Sequence, residues 1–173
     1  MTQHDASSKE ALWEIVKDIK FAIFTTKHSD GHLHGRPMTT QNKSLDEDES
    51  LWFFMSRSSD AVEDLSEDAT VHVAYADPDR DAYVSVSGTA SVVDDRAKKE
   101  QLWSKLAEAW FPDGADDPDL ALVEVRIEDA EYWDVKESKV TQLFKMARAA
   151  VVSDPPSGMG EHGEVHMARE PAA

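Results

Sequence analysis

The 173-residue chain contains no cysteine. Disulfides, thiolate metal sites, cysteine nucleophiles and iron–sulfur clusters are therefore excluded. Positive charge is scarce: 18 lysines and arginines stand against 35 aspartates and glutamates, a formal net charge of −17. Such a surface repels nucleic acid and anionic membrane, because both are bound by neutralising phosphates, and neither is expected as a partner. No apolar run approaches the length of a membrane span. Met1-Thr2-Gln3-His4-Asp5-Ala6 has neither a basic n-region nor an apolar h-region. No signal peptide is expected, and a cytoplasmic location is the simplest expectation. Ser-His-Asp order, nucleophile elbow and P-loop are all missing.

What remains is a globular composition, 40% hydrophobic with five tryptophans, in a chain long enough to bury one core without staples. Ser7-Ser8-Lys9-Glu10 carries capping-box spacing, and Leu12, Ile15, Val16 and Ile19 follow at helical period. This predicts a helix over 8–20 after a disordered tail at 1–7. Phe21 to Thr26 reads as a strand, Asp30-Gly31 as a hairpin turn, and 32–42 as the return strand, with Pro37 arguing for an edge or a bulge. Further strands are expected at 51–56, 70–76 and 82–93, the last with a bulge at Gly88, then at 120–127 and 130–135. Helices are expected from Ser58 or Ser59 with Val62 and Leu65 inward, at 96–110, and at 139–150. In the second of these, Leu102, Trp103, Leu106 and Trp110 form an apolar stripe for core or interface. A flexible tail is expected at 151–173. Six or seven mainly antiparallel strands with peripheral helices fit an antiparallel barrel, forming one domain at 8–150.

Two segments carry the chemistry. His34-Gly35-Arg36-Pro37-Met38-Thr39-Thr40 places one arginine in a neutral, hydroxyl-bearing strand. Ser50-Leu51-Trp52-Phe53-Phe54-Met55-Ser56-Arg57-Ser58-Ser59 is apolar-aromatic and ends in serines and a second arginine. A guanidinium fork among hydroxyls and backbone N–H groups suits a phosphate, and Trp, Phe and Met suit a flat ring. Each residue also has a plainer role. Arg36 could pair with a carboxylate, Trp52, Phe53 and Phe54 could simply fill the core, and Ser58 or Ser59 could be an N-cap, which is itself an anion site. His28, His32 and His34 flank a turn, and His162 and His166 fall in the expected tail, so no metal site is expected. Asp116-Asp117 reads as a solvated turn rather than a calcium loop.

The order of these motifs, continued by Val71-x-Val73-x-Tyr75-Ala76-Asp77, by Tyr83-Val84-x-Val86-x-Gly88-Thr89-Ala90, by Phe111-Pro112-Asp113-Gly114 and by Ala130-Glu131-Tyr132-Trp133-Asp134, resembles the pyridoxamine 5′-phosphate oxidase-like split barrels, and among them the general stress protein 26 group. The resemblance runs from about residue 8 to residue 150. It implies a homodimer of split β-barrels holding FMN in clefts at the subunit interface, with NAD(P)H or a small molecule as electron donor. Arg36 falls on the family's phosphate-binding strand, and Pro37, Met38 and Thr39 line the same stretch. Trp52, Phe53, Phe54 and Met55 fall on the strand whose backbone edges the flavin, and Ser56, Arg57, Ser58 and Ser59 on the turn that helps hold the phosphate. Trp110, Phe111 and Trp133 are the expected ring contacts. The family's basic residue after the serine turn is replaced here by Asp60-Ala61, with Arg57 as the nearest substitute. A flavin-dependent oxidoreductase is one implied function; a flavin-binding stress module without turnover, or a split barrel with a degraded site, is the alternative. A deazaflavin or haem on the same scaffold stays open. Full pyridoxamine 5′-phosphate oxidase activity is not expected, because the arginine-bearing C-terminal segments that grip that substrate are not evident.

Overall fold

In this computed structural model, residues 3–45, 49–134 and 161–166 are described. The strands are β1 (Phe21–Lys27), β2 (Leu33–Thr39), β3 (Ser50–Ser56), β4 (Thr70–Asp77), β5 (Ala82–Val93), β6 (Leu120–Asp134) and β7 (Glu161–His166), and burial alternates most clearly along β1, β4 and β5. Helix α1 (Gln3–Ile19) precedes them, α2 (Asp60–Glu67) follows β3, and α3 (Arg96–Leu102) and α4 (Lys105–Trp110) separate β5 from β6. Every ladder is antiparallel, and the path runs β2-β1-β4-β5-β6-β3, with β7 added beside β6. The two end strands approach each other through one bridge, Thr40↔Phe53, so the sheet is a split barrel that does not close. Thr40 also shares a 2.6 Å hydrogen bond with the buried Tyr75 hydroxyl, tying the end of β2 to β4. No helix among the described residues is long and apolar enough to cross a membrane.

Two cores divide the apolar residues. Leu12, Ile15 and Val16 of α1 pack with Phe24, Phe53, Val73, Val86 and Val123 on the concave side. Phe24 and Phe53 meet edge to face at 5.2 Å. On the other face of β3, Trp52 and Phe54 pack with Leu102, Ala107, Phe111, Leu120 and Leu122 under α3 and α4. Because β3 is covered on both faces, it reads as a continuous apolar run rather than an alternation.

Several boundaries differ from expectation. Helix α1 opens at Gln3, within the segment expected to be a disordered tail, because no glycine or proline between residues 3 and 10 stops the helix at the Ser-x-x-Glu signal. The 96–110 helix is broken at Trp103, which turns extended, and Ser104 caps α4 by accepting from the Ala107 N–H. The two strands expected at 120–135 are one 15-residue strand. The tail expected at 151–173 contains β7, seated where Gly163 lets the chain lie on the Tyr132 ring; an added Cβ would come within 2.4 Å of it. The expected bulge is present: register shifts between Ser87 and Gly88, where a Cβ would meet the Arg126 carbonyl oxygen at 2.0 Å. Pro37 sits on β2, an end strand, as its missing N–H requires. The helix expected at 139–150 lies outside the described residues.

Candidate functional site

Strand alternation sends Thr26 of β1 and His34, Arg36 and Met38 of β2 to the inner side, through the register pairs Thr26↔His34 and Phe24↔Arg36. There they meet α2. Asp64, four residues into that helix, has a side chain only 1% exposed. Its Oδ2 accepts from the Thr26 hydroxyl at 2.5 Å, and its Oδ1 lies 2.6 Å from His28 Nδ1. Arg36 donates through Nη1 to Thr26 Oγ1 at 2.8 Å, and its Nη2 stands 3.6 Å from Asp64 Oδ2. The guanidinium side chain stays 24% exposed, so one edge is held from behind while another reaches solvent. The His28 and His34 rings stack at 4.8 Å beside it.

The electrostatics follow from this packing. Burial, the largest influence on Asp64, pushes its carboxyl up. The hydrogen bonds from Thr26 and His28 and the charges of His28 and Arg36 outweigh it and hold the group below its ordinary value. The hydrogen bond to Asp64 raises His28 above 6.5, helped by the charges of Asp64, Asp30 and Asp60 and opposed by desolvation.

The serine turn is a second, separate cluster. Asp119, just before β6, accepts from Ser56 Oγ at 2.6 Å and from the Ser58 N–H at 3.1 Å, while its backbone carbonyl accepts from the Arg57 N–H at 2.6 Å. Above all, the Ser56 hydrogen bond holds the Asp119 carboxyl below its ordinary value. Ser59 occupies the N-cap position of α2 without a side-chain cap bond; its hydroxyl donates instead to the Ser56 carbonyl at 2.7 Å. Arg57 and Ser58 are exposed.

The structure therefore gathers Arg36 with Thr26, His28 and Asp64, and gathers Ser56 and Ser58 around Asp119. Met38 packs on the main core, Thr39 is half-buried and Pro37 exposed. Trp52, Phe53, Phe54 and Met55 all have buried side chains, so any ligand contact from β3 falls to its backbone. Phe111 belongs to the second core, whereas Trp110 is 78% exposed and Trp133 stacks on His162 at 5.3 Å. Asp64 and Asp119 escaped the sequence reading. An acid between Ala61 and Leu65 on the inward side of α2 was a usable sign for Asp64; Asp119 acts across 63 residues and leaves none. Among the described residues, Glu131, His162 and Glu164 form one group whose ligand atoms lie within 4.8 Å of one another on β6 and β7. The sequence placed His162 in a loose tail.

The profile of the family described as pyridoxamine 5′-phosphate oxidase like matches residues 7–156, and the chain belongs to that family. Its relatives there include general stress protein 26 of Bacillus subtilis (strain 168), 27% identical over 146 residues that cover 83% of this chain and 99% of that protein. The crystal structure of the general stress FMN/FAD binding protein from Xanthomonas citri is 28% identical, covers 78% of this chain and 92% of its own, and superposes with a TM-score of 0.67. A protein from Clostridium acetobutylicum, described as related to general stress protein 26 and of the pyridoxinephosphate oxidase family, is 25% identical with a TM-score of 0.64, covering 77% of this chain and 92% of that one.

Proposed function

We propose that this chain binds FMN by its phosphate and acts as a dimeric, flavin-dependent oxidoreductase, with NAD(P)H or a small molecule as electron donor. The observation that carries the reading is Arg36: a half-exposed guanidinium on an end strand, fixed from behind by Thr26 and Asp64. A pre-oriented fork of this kind suits two parallel hydrogen bonds to phosphate oxygens. The flavin named for the Xanthomonas citri relative supports the same choice. The donor set fits the group in part, since the arginine and the Ser58 hydroxyl are phosphate partners, whereas the Ser59 hydroxyl is already given to the Ser56 carbonyl.

Support for a dimer comes from the outer side of the β1–β2 hairpin. Phe21 is 61% exposed and Leu33 72%, with Ile23 and Pro37 paired between them. Large apolar side chains exposed along one side of an end hairpin suit an interaction site. A second copy covering it would bring other aromatic residues, Trp110 or Trp133 among them, toward a ring held at Arg36.

Bound there, FMN would supply hydride or electron transfer. The chain's own part would be to grip the phosphate with Arg36 and the serine turn, to hold the ring against β3 backbone, and to exclude water with the partner subunit. One observation favours the alternative of a flavin-binding module with a weakened site: Asp119 already occupies donors of the serine turn, and Asp60 adds a further carboxylate.

Titrating the apo-protein with FMN and, in parallel, with riboflavin tests the reading. Saturation is expected at one FMN per subunit, with riboflavin at least about tenfold weaker because it lacks the phosphate. Failure of both flavins to bind would end the proposal. Sedimentation should give the mass of two chains, and a monomer at micromolar concentration would remove the interfacial cleft. Reduction of bound flavin by NAD(P)H separates the oxidoreductase from the module without turnover.

A further inference from the structure

Asp64 is shared between two cationic side chains. Its Oδ1 lies 2.6 Å from His28 Nδ1, and its Oδ2 faces Arg36 Nη2 at 3.6 Å while accepting from Thr26. The carboxylate is 1% exposed, so its charge is poorly screened by solvent and is felt by whichever partner is charged. Arg36 is always charged; His28 is not.

The hydrogen bond fixes which nitrogen changes state. Asp64 is held ionised and an ionised carboxylate only accepts, so Nδ1–H is the donor. Nε2 lies across the ring from that bond, on a side chain 29% exposed. A proton can therefore join or leave at Nε2 with the Nδ1 bond intact. The His34 ring stacks on His28 at 4.8 Å with 11° between planes, which keeps the imidazole in this orientation. Asp64 and Asp60 face His28 from α2 and Asp30 from the hairpin turn; His34 is its neighbour from β2, and Lys27, next in the chain, is drawn to Asp68 at 3.5 Å. The hydrogen bond to Asp64, helped by these acids, raises His28 above 6.5, so its charge changes in the neutral range.

We propose that His28 is a positioning residue of the Arg36 seat: its imidazolium answers the Asp64 carboxylate and so leaves the guanidinium charge to a phosphomonoester. This rests on the reading of Arg36 as the phosphate anchor and gives that anchor a pH dependence. With His28 charged, a phosphate meets the whole charge of Arg36. With His28 neutral, the carboxylate behind Arg36 opposes the phosphate, and affinity falls. Binding is reciprocal, so a bound phosphate must in turn hold the proton on His28 more tightly.

The experiment compares FMN and riboflavin binding by the full chain and by His28→Gln, whose amide can still donate to Asp64 but carries no charge. FMN should bind the variant about three- to tenfold more weakly at about pH 6 and within about twofold of the parent at about pH 9. The second ionisation of the phosphate, near about pH 6, acts alike on both chains and cancels in the ratio. Riboflavin should show no such change. Equal weakening at both pH values would mean that His28 only shapes the site, and overturns the proposal. Should the variant not fold, the His28 ring resonance of the parent gives the same answer: FMN should raise its titration midpoint by about 0.5–1, the same three- to tenfold factor, and riboflavin should not. Inorganic phosphate separates this inference from the flavin. A midpoint raised by phosphate in a chain that binds no FMN keeps the seat and ends the flavin reading. FMN bound with an unmoved midpoint ends this inference alone, and no response to either ends both.

Discussion

The Arg36 cluster and the serine turn are both candidate anchors for a phosphate, and both already hold an internal carboxylate. They differ in depth. Asp64 is buried behind Arg36 and bonded to Thr26 and His28, so it braces the guanidinium from the protein side. Asp119 is half-buried and bonds the Ser56 hydroxyl and Ser58 N–H themselves, the groups a phosphate would use. The same chemical group is thus a support in one place and a competitor in the other. Water decides which: a buried ion pair has no solvent to replace its partner, whereas an exposed one exchanges partners at little cost.

The largest effect should come from removing the support. Asp64→Ala leaves the Thr26 hydroxyl, His28 and Arg36 facing a buried gap and should cost about 2–4 kcal/mol of stability, read from the urea midpoint. An unchanged midpoint would put Asp64 in contact with water and remove the contrast. Next in size, Arg36→Ala should weaken FMN by more than roughly 1.5 kcal/mol, the loss of a charge-assisted bond, while leaving riboflavin binding nearly as it was. Equal losses for both flavins would take Arg36 away from the phosphate.

A pH series sharpens the comparison further. His28, raised by its bond to Asp64, stabilises the fold fully below its unfolded value near 6.5, and that contribution fades as pH rises through the higher folded value. Asp64, lowered, contributes above its unfolded value near 3.8, and its part is lost as pH falls through the lower folded value. The difference in urea midpoint between the parent chain and His28→Asn should therefore be largest at about pH 5–6 and shrink as pH rises past the unfolded value near 6.5. A difference that grows with pH would reverse the assignment. The smallest effect is expected at the exposed anchor. Asp119→Asn should tighten FMN by about two- to fivefold, since a screened surface contact is all that is displaced. Weaker FMN binding in that variant would make Asp119 a support like Asp64.

Much of the fold was legible because it is written locally. The Asp30-Gly31 turn places glycine at φ 86°, the Gly88 bulge falls where a side chain would strike Arg126, and Leu12, Ile15 and Val16 mark the buried side of α1. Local signals failed where a distant contact overrode them. Nothing near His162 announces that β7 will lie on Tyr132 and pair with β6, and the apolar stripe from Leu102 to Trp110 hides the break that Ser104 caps. Of the candidate site, Arg36 could be singled out because an arginine in a neutral strand is conspicuous in an acidic chain. Its brace could not.

By itself, then, the sequence determined the order of strands and helices as far as β5, the sign of the surface, the exclusion of thiol chemistry and the arginine on which the functional reading rests. Tertiary structure alone decided that the side chains of β3 are core on both faces, that Asp64 stands behind Arg36, that Asp119 fills the serine turn, and that the Trp52 indole N–H has no partner among the described residues. The physical reason is range. Periodicity and turn chemistry act over a few residues, whereas burial, pairing and competition among charges depend on which distant segments meet.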